Sequence, residues 1–365
     1  MLAGPRALID HAALRHNLSV VRRFAPSSRV WAVIKADAYG HGMVQAAQGL
    51  AEADGYAVAR LEEAVCLREA GVEKPVLVLE GAFSREEVDL ACRHCLELAL
   101  HRREQVALLE QRPDAAMLPL WIKVDTGMHR LGMPPDAVPA VLDRLSRCPQ
   151  PPGLMTHLAN SDDPSDPLTD AQCERLRALA GVGGYRLSIG NSAGIVAWPG
   201  SRTDWVRPGI MLYGASPLQG RSASDLGLRP VMTLRTHLVA VNRLRRGDAV
   251  GYSGTWVCPE DMPVGVAAVG YGDGYPRQAP SGTPVLIRGR RLPIVGRVSM
   301  DLITIDLRGL PEAKVGDAVT LWGEGLPVDE IAGWAGTIAY ELLCRVTRRV
   351  RLDYQAIVTD AAGLA

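Results

Sequence analysis

A chain of 365 residues has room for two domains, each with a core of its own. Lysine plus arginine and aspartate plus glutamate number 40 each, so the formal net charge is zero and neither a nucleic acid nor a polybasic membrane contact is expected as partner. Seven cysteines, an odd count, read as reduced thiols of a cytoplasmic protein rather than as a disulfide framework.

Residues 1–14 mix Arg6, Asp10 and His11 into their apolar positions, so no signal-peptide core is expected there. No apolar run approaches the length of a membrane span. From residue 30 onward, strand and helix patterns alternate with a short period. Strand-like runs fall at 30–34, 56–59, 76–79, 96–100, 120–124, 154–157, 186–189 and 206–213. Helical patterns lie between them at 44–52, 61–70, 85–92, 137–146 and 171–180. Eight strands separated by helices predict a parallel sheet, and eight such units are what closes a (β/α)8 TIM-type barrel; an open doubly wound sheet shares the periodicity. After Leu228, Arg229 and Pro230 the texture changes to alternating β runs at 232–242, 264–269, 285–287, 302–305 and 318–321, with a helical pattern at 328–335. The expectation is an α/β chain in two parts, a barrel over residues 1–225 and a β-rich domain over 226–365.

The polar residues that stand out sit where a barrel keeps its chemistry, at the carboxyl-terminal ends of strands: Lys35, His157, Asn191 and Arg207, with Arg130 in the loop after the fifth. Lys35 ends a β run and is followed at once by a turn containing Gly40 and Gly42. Lysine forms Schiff bases once its ammonium is deprotonated by burial or by its neighbours. Taken alone, Lys35 reads equally well as a surface lysine at a strand end. Cys92 and Cys95 enclose His94 in a Cys-x-x-Cys, but no second pair with ligand spacing follows. A pair of half-buried helical cysteines is expected there, and no metal site.

The string Val30 to Gly42 resembles the pyridoxal-phosphate lysine motif of the alanine racemases, and further motifs follow in that family's order. They are Ile9-Asp10 with Arg15 to Leu18, Lys123 to Gly132, Thr156 to Ala159, Asn191 to Ala193 and Arg207 to Gly214. In the second part come Val250 to Trp256, Gly270 to Gly274 and Val298 to Asp301. So many ordered matches make a strong signal.

The resemblance implies an isomerase that interconverts L-alanine and D-alanine on pyridoxal 5′-phosphate by two-base proton transfer. Lys35 would hold the cofactor as a Schiff base. Tyr39, Ser192, Gly209 and Ile210 would hold its phosphate, the last two through backbone N–H groups. Arg207 would face the pyridine nitrogen, where a permanent cation weakens the electron sink and limits side reactions such as transamination. Lys35 and Tyr252 would be the two bases. Tyrosine ordinarily titrates near about 10, so the resemblance gives Tyr252 His157 and Arg207 as helpers, with His157 also against the cofactor ring.

Arg130 would meet the substrate carboxylate, and Met300 would contribute a backbone contact to the substrate. In some members the lysine matching Lys123 carries a carbamate; by the two-residue strand period, an inward Lys123 paired with Asp125 is an equal reading. Some members have a tyrosine where Arg348 stands, which helps narrow substrate entry; its absence here would relax selectivity for alanine. The resemblance further implies a homodimer with shared active sites in a bacterial cytoplasm, supplying D-alanine for peptidoglycan or feeding alanine catabolism. The rivals are a decarboxylase on the same architecture, which prefers a carboxylate at Arg207's position, a broader small-amino-acid racemase, and a cofactor carrier built on the barrel alone.

Overall fold

The computed structural model describes residues 4–181 and 184–355. Its first strand, β1 (Arg6–Asp10), runs into α1 (His11–Phe24), and Asp10 caps that helix by accepting from the N–H groups of Ala12 and Ala13 at 2.7 and 3.1 Å.

A closed barrel of eight strands follows: β2 (Arg29–Val33), β3 (Gly55–Val58), β4 (Val76–Val78), β5 (Glu97–Leu100), β6 (Leu120–Lys123), β7 (Gly153–Met155), β8 (Leu187–Asn191) and β9 (Trp205–Arg207). Each pairs in parallel with the next, and β9 closes on β2. The strands are short and mostly apolar on both faces, because helices cover the outside and the interior is packed. The helices that follow β2 to β6 are α2 (Met43–Gly49), α3 (Leu61–Glu69), α4 (Arg85–Arg93), α5 (Arg103–Glu110) and α6 (Val138–Arg144). α7 (Leu168–Ala180) and α8 (Ser192–Ala197) complete the set.

The last barrel strand differs from its expected span of 206–213. It stops at Arg207, and a 3₁₀ turn over Ile210–Tyr213 replaces the rest. Pro208 has no N–H to give a ladder, and Gly209, at φ −119° and ψ −94°, turns the chain.

The second part is built on β10 (Met232–Leu244), which pairs with β17 (Ala318–Trp322) through one half and β13 (Met262–Ala267) through the other. With β14 (Pro284–Ile287), β15 (Arg290–Val295) and β16 (Ile303–Asp306), the antiparallel order runs β13-β16-β15-β14-β17-β10, and the β10–β13 pairing returns it to its start. A small hairpin, β11 (Ala249–Val250) and β12 (Trp256–Val257), stands off this sheet. The helices are α9 (Val328–Trp334) and α10 (Ala339–Cys344), the second of which sequence periodicity did not reveal. β1 joins this sheet, between β10 and the final strand β18 (Arg351–Gln355), although residues 1–225 were expected to be barrel. The expected span of the β-rich domain ends on residues 356–365, which lie outside the described residues.

Candidate active site

Lys35 stands directly above β2, at the carboxyl-terminal mouth of the barrel. The turn after it is not the glycine turn the sequence implied. Ala36, Asp37, Ala38 and Tyr39 all have φ between 51° and 54° and ψ between 41° and 51°, one turn of left-handed helix made of non-glycine residues. Such a conformation costs about 1–2 kcal/mol per residue, so it persists only where the surroundings over-determine it.

They do. The Ala38 N–H donates to the Ile34 carbonyl at 2.9 Å and the Gly42 N–H to the Asp37 carbonyl at 3.0 Å. The Asp37 carboxylate accepts from the Met43 N–H at 2.7 Å. His41 is fully buried, with Nδ1 at 2.9 Å from the Tyr39 carbonyl and 3.0 Å from that of Ala38. Carbonyls only accept, so Nδ1 carries the proton. Burial holds the imidazole neutral, with its pKa brought down to about 4.

A cavity of about 550 Å³ opens beside this turn. It brings together Lys35, Tyr39, Lys123, Arg130, His157, Asn191, Ser192, Arg207, Gly209 and Ile210, all named from sequence, and adds Glu80 and Tyr340. Arg207 is buried and donates to the Ser188 carbonyl and hydroxyl at 2.8 and 2.5 Å, to Ile189 at 3.2 Å, and to the Thr156 carbonyl. All four acceptors are neutral, so no carboxylate offsets its charge, and burial lowers its pKa to about 10.

Burial and then the charges of Arg207, Arg130 and Lys35 bring Lys123 down to about 8, against a smaller opposing pull from Glu80. Burial, followed by Arg207, also pushes His157 well below the usual histidine range, so that imidazole is neutral. Asp125 does not pair with Lys123, contrary to one reading of the strand. Its carboxylate is turned to the following loop, accepting from the N–H groups of Gly127, Met128 and His129 at 3.0, 3.1 and 3.0 Å.

Four cations against one carboxylate make a cavity that wants an anion. Ser192 Oγ accepts the Gly209 N–H at 2.8 Å, which leaves its own proton free to donate elsewhere. A β-carbon on Gly209 would lie 2.4 Å from the Tyr39 hydroxyl, so glycine keeps that cradle open. The volume and donor set fit pyridoxal phosphate, an aromatic aldehyde with a phosphate, better than a neutral ligand.

Tyr340 was missed by the sequence reading because α10 is short and lies far along the chain. Its ring is 5.9 Å from that of Tyr39, and burial raises its pKa to about 12. Arg348 is exposed and does not line the cavity of its own chain, whereas Tyr340 does.

Tyr252 and Met300 are not brought to this cavity. They are 69% and 52% exposed on the β domain. Tyr252 follows β11, and Arg297 reaches from the next loop to Ser253 Oγ at 3.4 Å. Met300 accepts from the Gly272 N–H at 2.9 Å, and Arg349 joins Asp273 and Asp301 at 3.3 and 2.6 Å. Cys92 lies in the last turn of α4, and Cys95 just beyond it at φ 48°; all seven cysteines are free.

A strand-tip lysine in a cationic cavity at the mouth of a parallel barrel is the arrangement of an enzyme that works on a phosphate-bearing carbonyl cofactor. Residues 9–217 match the family model for the N-terminal domain of alanine racemase, and residues 231–354 that for its C-terminal domain. Alanine racemase of Nitrosococcus oceani is 54% identical over 349 residues, 95% of this chain and 98% of that one. The crystal structure of biosynthetic alanine racemase from Pseudomonas aeruginosa is 43% identical with a TM-score of 0.94, covering 97% of this chain and all of the other. Alanine racemase from Acinetobacter baumannii gives 37% identity and a TM-score of 0.93 over 97% of this chain. The chain belongs to the alanine racemase family. Its activity is the interconversion of L-alanine and D-alanine, and its cofactor is pyridoxal phosphate.

Proposed function

We propose that Lys35 and Tyr252 are the two bases of this racemase, and that each site takes Tyr252 from a second copy of the chain. The carrying observation is that Lys35 lines the cationic cavity while Tyr252, more than two-thirds exposed, lies outside it. When bound, pyridoxal phosphate draws off the electron pair left as the α-proton of the amino acid departs. Lys35 would hold the cofactor, and its amine would move a proton on one face of Cα. Tyr252 of the partner serves the other face.

Tyr39 and Ser192 bind the phosphate with the backbone of Gly209 and Ile210. Arg207, held by neutral acceptors, would face the pyridine nitrogen and, as a guanidinium that keeps its proton, would leave that nitrogen unprotonated and the ring a moderate electron sink. His157, kept neutral among cations, packs on the ring and orients the base opposite. Arg130 takes the substrate carboxylate and Met300 closes over it. Only the free amine of a lysine reacts with carbon dioxide, and a pKa brought down to about 8 gives Lys123 a minor fraction of it near neutral pH, far more than an ordinary lysine has. That supports a carbamate there.

The same reading sets the domain boundary near residue 225, with β1 exchanged into the second domain. It makes the protein a cytoplasmic homodimer that supplies D-alanine for peptidoglycan; among the described residues no helix is long and apolar enough to cross a membrane. The Pseudomonas aeruginosa relative, termed biosynthetic, supports that direction.

Mixing two dead homodimers tests the shared site. Lys35→Ala and Tyr252→Phe place both defects in one site of a hybrid and leave the other intact. Random exchange makes half the dimers hybrid, so about a quarter of wild-type activity returns. Sites completed within one chain give no recovery in verified hybrids.

A further inference from the structure

The backbone on either side of Lys35 is held by residues outside its own turn. Before it, the Ile34 N–H donates to the Ala57 carbonyl of β3 at 2.9 Å. After it, the Ala36 N–H donates to Glu63 Oε1 at 2.8 Å. Glu63 lies in the first turn of α3, and its other oxygen, Oε2, accepts from Ala59 and Arg60 at 2.8 and 3.2 Å. One carboxylate therefore joins the lysine turn to the end of the neighbouring barrel strand.

The bond to Ala36 differs in kind from the other two. Oε2 performs the ordinary duty of an acidic residue at a helix start. Oε1 serves a residue 27 positions earlier in the chain. The first N–H groups of any helical turn lack internal partners, and Ala36 opens a left-handed one. Its N–H belongs to the Lys35–Ala36 peptide plane, so fixing that plane fixes ψ of Lys35 and with it the direction in which the side chain leaves the backbone.

We propose that Glu63 is a positioning residue for Lys35, acting through the Ala36 peptide to aim the amine into the cavity. The inference rests on the reading of Lys35 as the lysine that carries the cofactor. A charge-assisted bond at a strained junction is worth more than a neutral one, and a misplaced reacting atom is costly in rate. The effect belongs in turnover more than in substrate binding, since Glu63 does not line the cavity.

The test uses Glu63→Gln, which keeps size but puts an NH2 group towards one of the N–H donors. Glu63→Asp, a methylene shorter, keeps the charge at the start of α3 and serves if the first variant does not fold. Expected for either is a kcat lower by about tenfold to a hundredfold with KM within about twofold of wild type. Amide exchange of residues 36–42 should also speed up in cofactor-free protein. A lower melting temperature and faster exchange confined to α3, with kcat unchanged, would make Glu63 a helix cap alone and overturn the inference. Borohydride trapping of wild-type holoenzyme separates the two levels. Label on Lys35 with an unaffected Glu63→Gln variant defeats only the positioning role; label on another lysine defeats that role and the assignment beneath it.

Discussion

Lys35 and Tyr252 were both named from sequence, yet the structure treats them differently. Lys35 is set in a cavity with its expected neighbours, whereas Tyr252 stands exposed on another domain. A motif can identify a residue without locating it, because position depends on contacts that one chain need not supply. Two bases on opposite faces predict an asymmetry that net turnover conceals, since the equilibrium constant of racemisation is unity. In heavy water, Tyr252→Phe should still exchange the α-proton of D-alanine through Lys35, while exchange from L-alanine falls by about a hundredfold or more. Proton NMR of each pure enantiomer reads both rates. Equal loss of the two would reduce Tyr252 to a binding role. Asp125 teaches a similar lesson: the strand period places it on the face of Lys123, but three N–H groups of its own loop claim the carboxylate.

At the scale of the element, the left-handed turn is what the sequence concealed most completely. Ala36 to Tyr39 contains no glycine, and local preference alone would wind it right-handed. What holds it reversed is a set of bonds within residues 34–43 together with Glu63 from the next helix, and His41 is the buried part of that set. Its folded pKa lies near about 4, below the ordinary value of 6.5. Both states are neutral above pH 6.5, so its contribution is complete there; as pH falls the unfolded chain takes up a proton that the folded one refuses. Stability is lost between about pH 6.5 and 4, by roughly 3 kcal/mol at the limit. Melting curves across that range should slope less steeply in His41→Asn, whose amide can still donate to Tyr39.

Gly209 offers a cleaner probe of the cradle. Gly209→Ala places a methyl 2.4 Å from the Tyr39 hydroxyl. Affinity for pyridoxal phosphate, read by absorbance titration, should drop about tenfold or more.

For the whole molecule, the barrel was legible because its strands are short apolar runs at even spacing, and each pairs with the next in sequence. The eighth was over-extended because 210–213 is apolar enough to pass for strand, while Pro208 and Gly209 end the ladder. β1 and β18 left no comparable trace. Strand propensity cannot report a partner at the opposite end of the chain, and Arg6 meets Asp353 across 347 positions. α10 escaped for a related reason: six residues are too few to show a helical period, though they carry Tyr340 to the cavity.

That pairing of the first strand with the last has a consequence for how the chain is made. Synthesis is vectorial, and a domain that emerges early can fold while the rest is still being added. Residues 29–207 can close the barrel on the ribosome, but Arg6–Asp10 must wait, tethered through α1, until β10 and then β18 arrive on either side. For that interval it is an unpaired strand with free N–H and C=O groups, open to the wrong neighbour, including the same strand of another nascent chain. Its side chains alternate in burial, Ala7 and Ile9 inward and Arg6, Leu8 and Asp10 more open, and the charges at its two ends oppose parallel, in-register stacking of like copies. β18, the last strand among the described residues, thus releases the first from a vulnerable state.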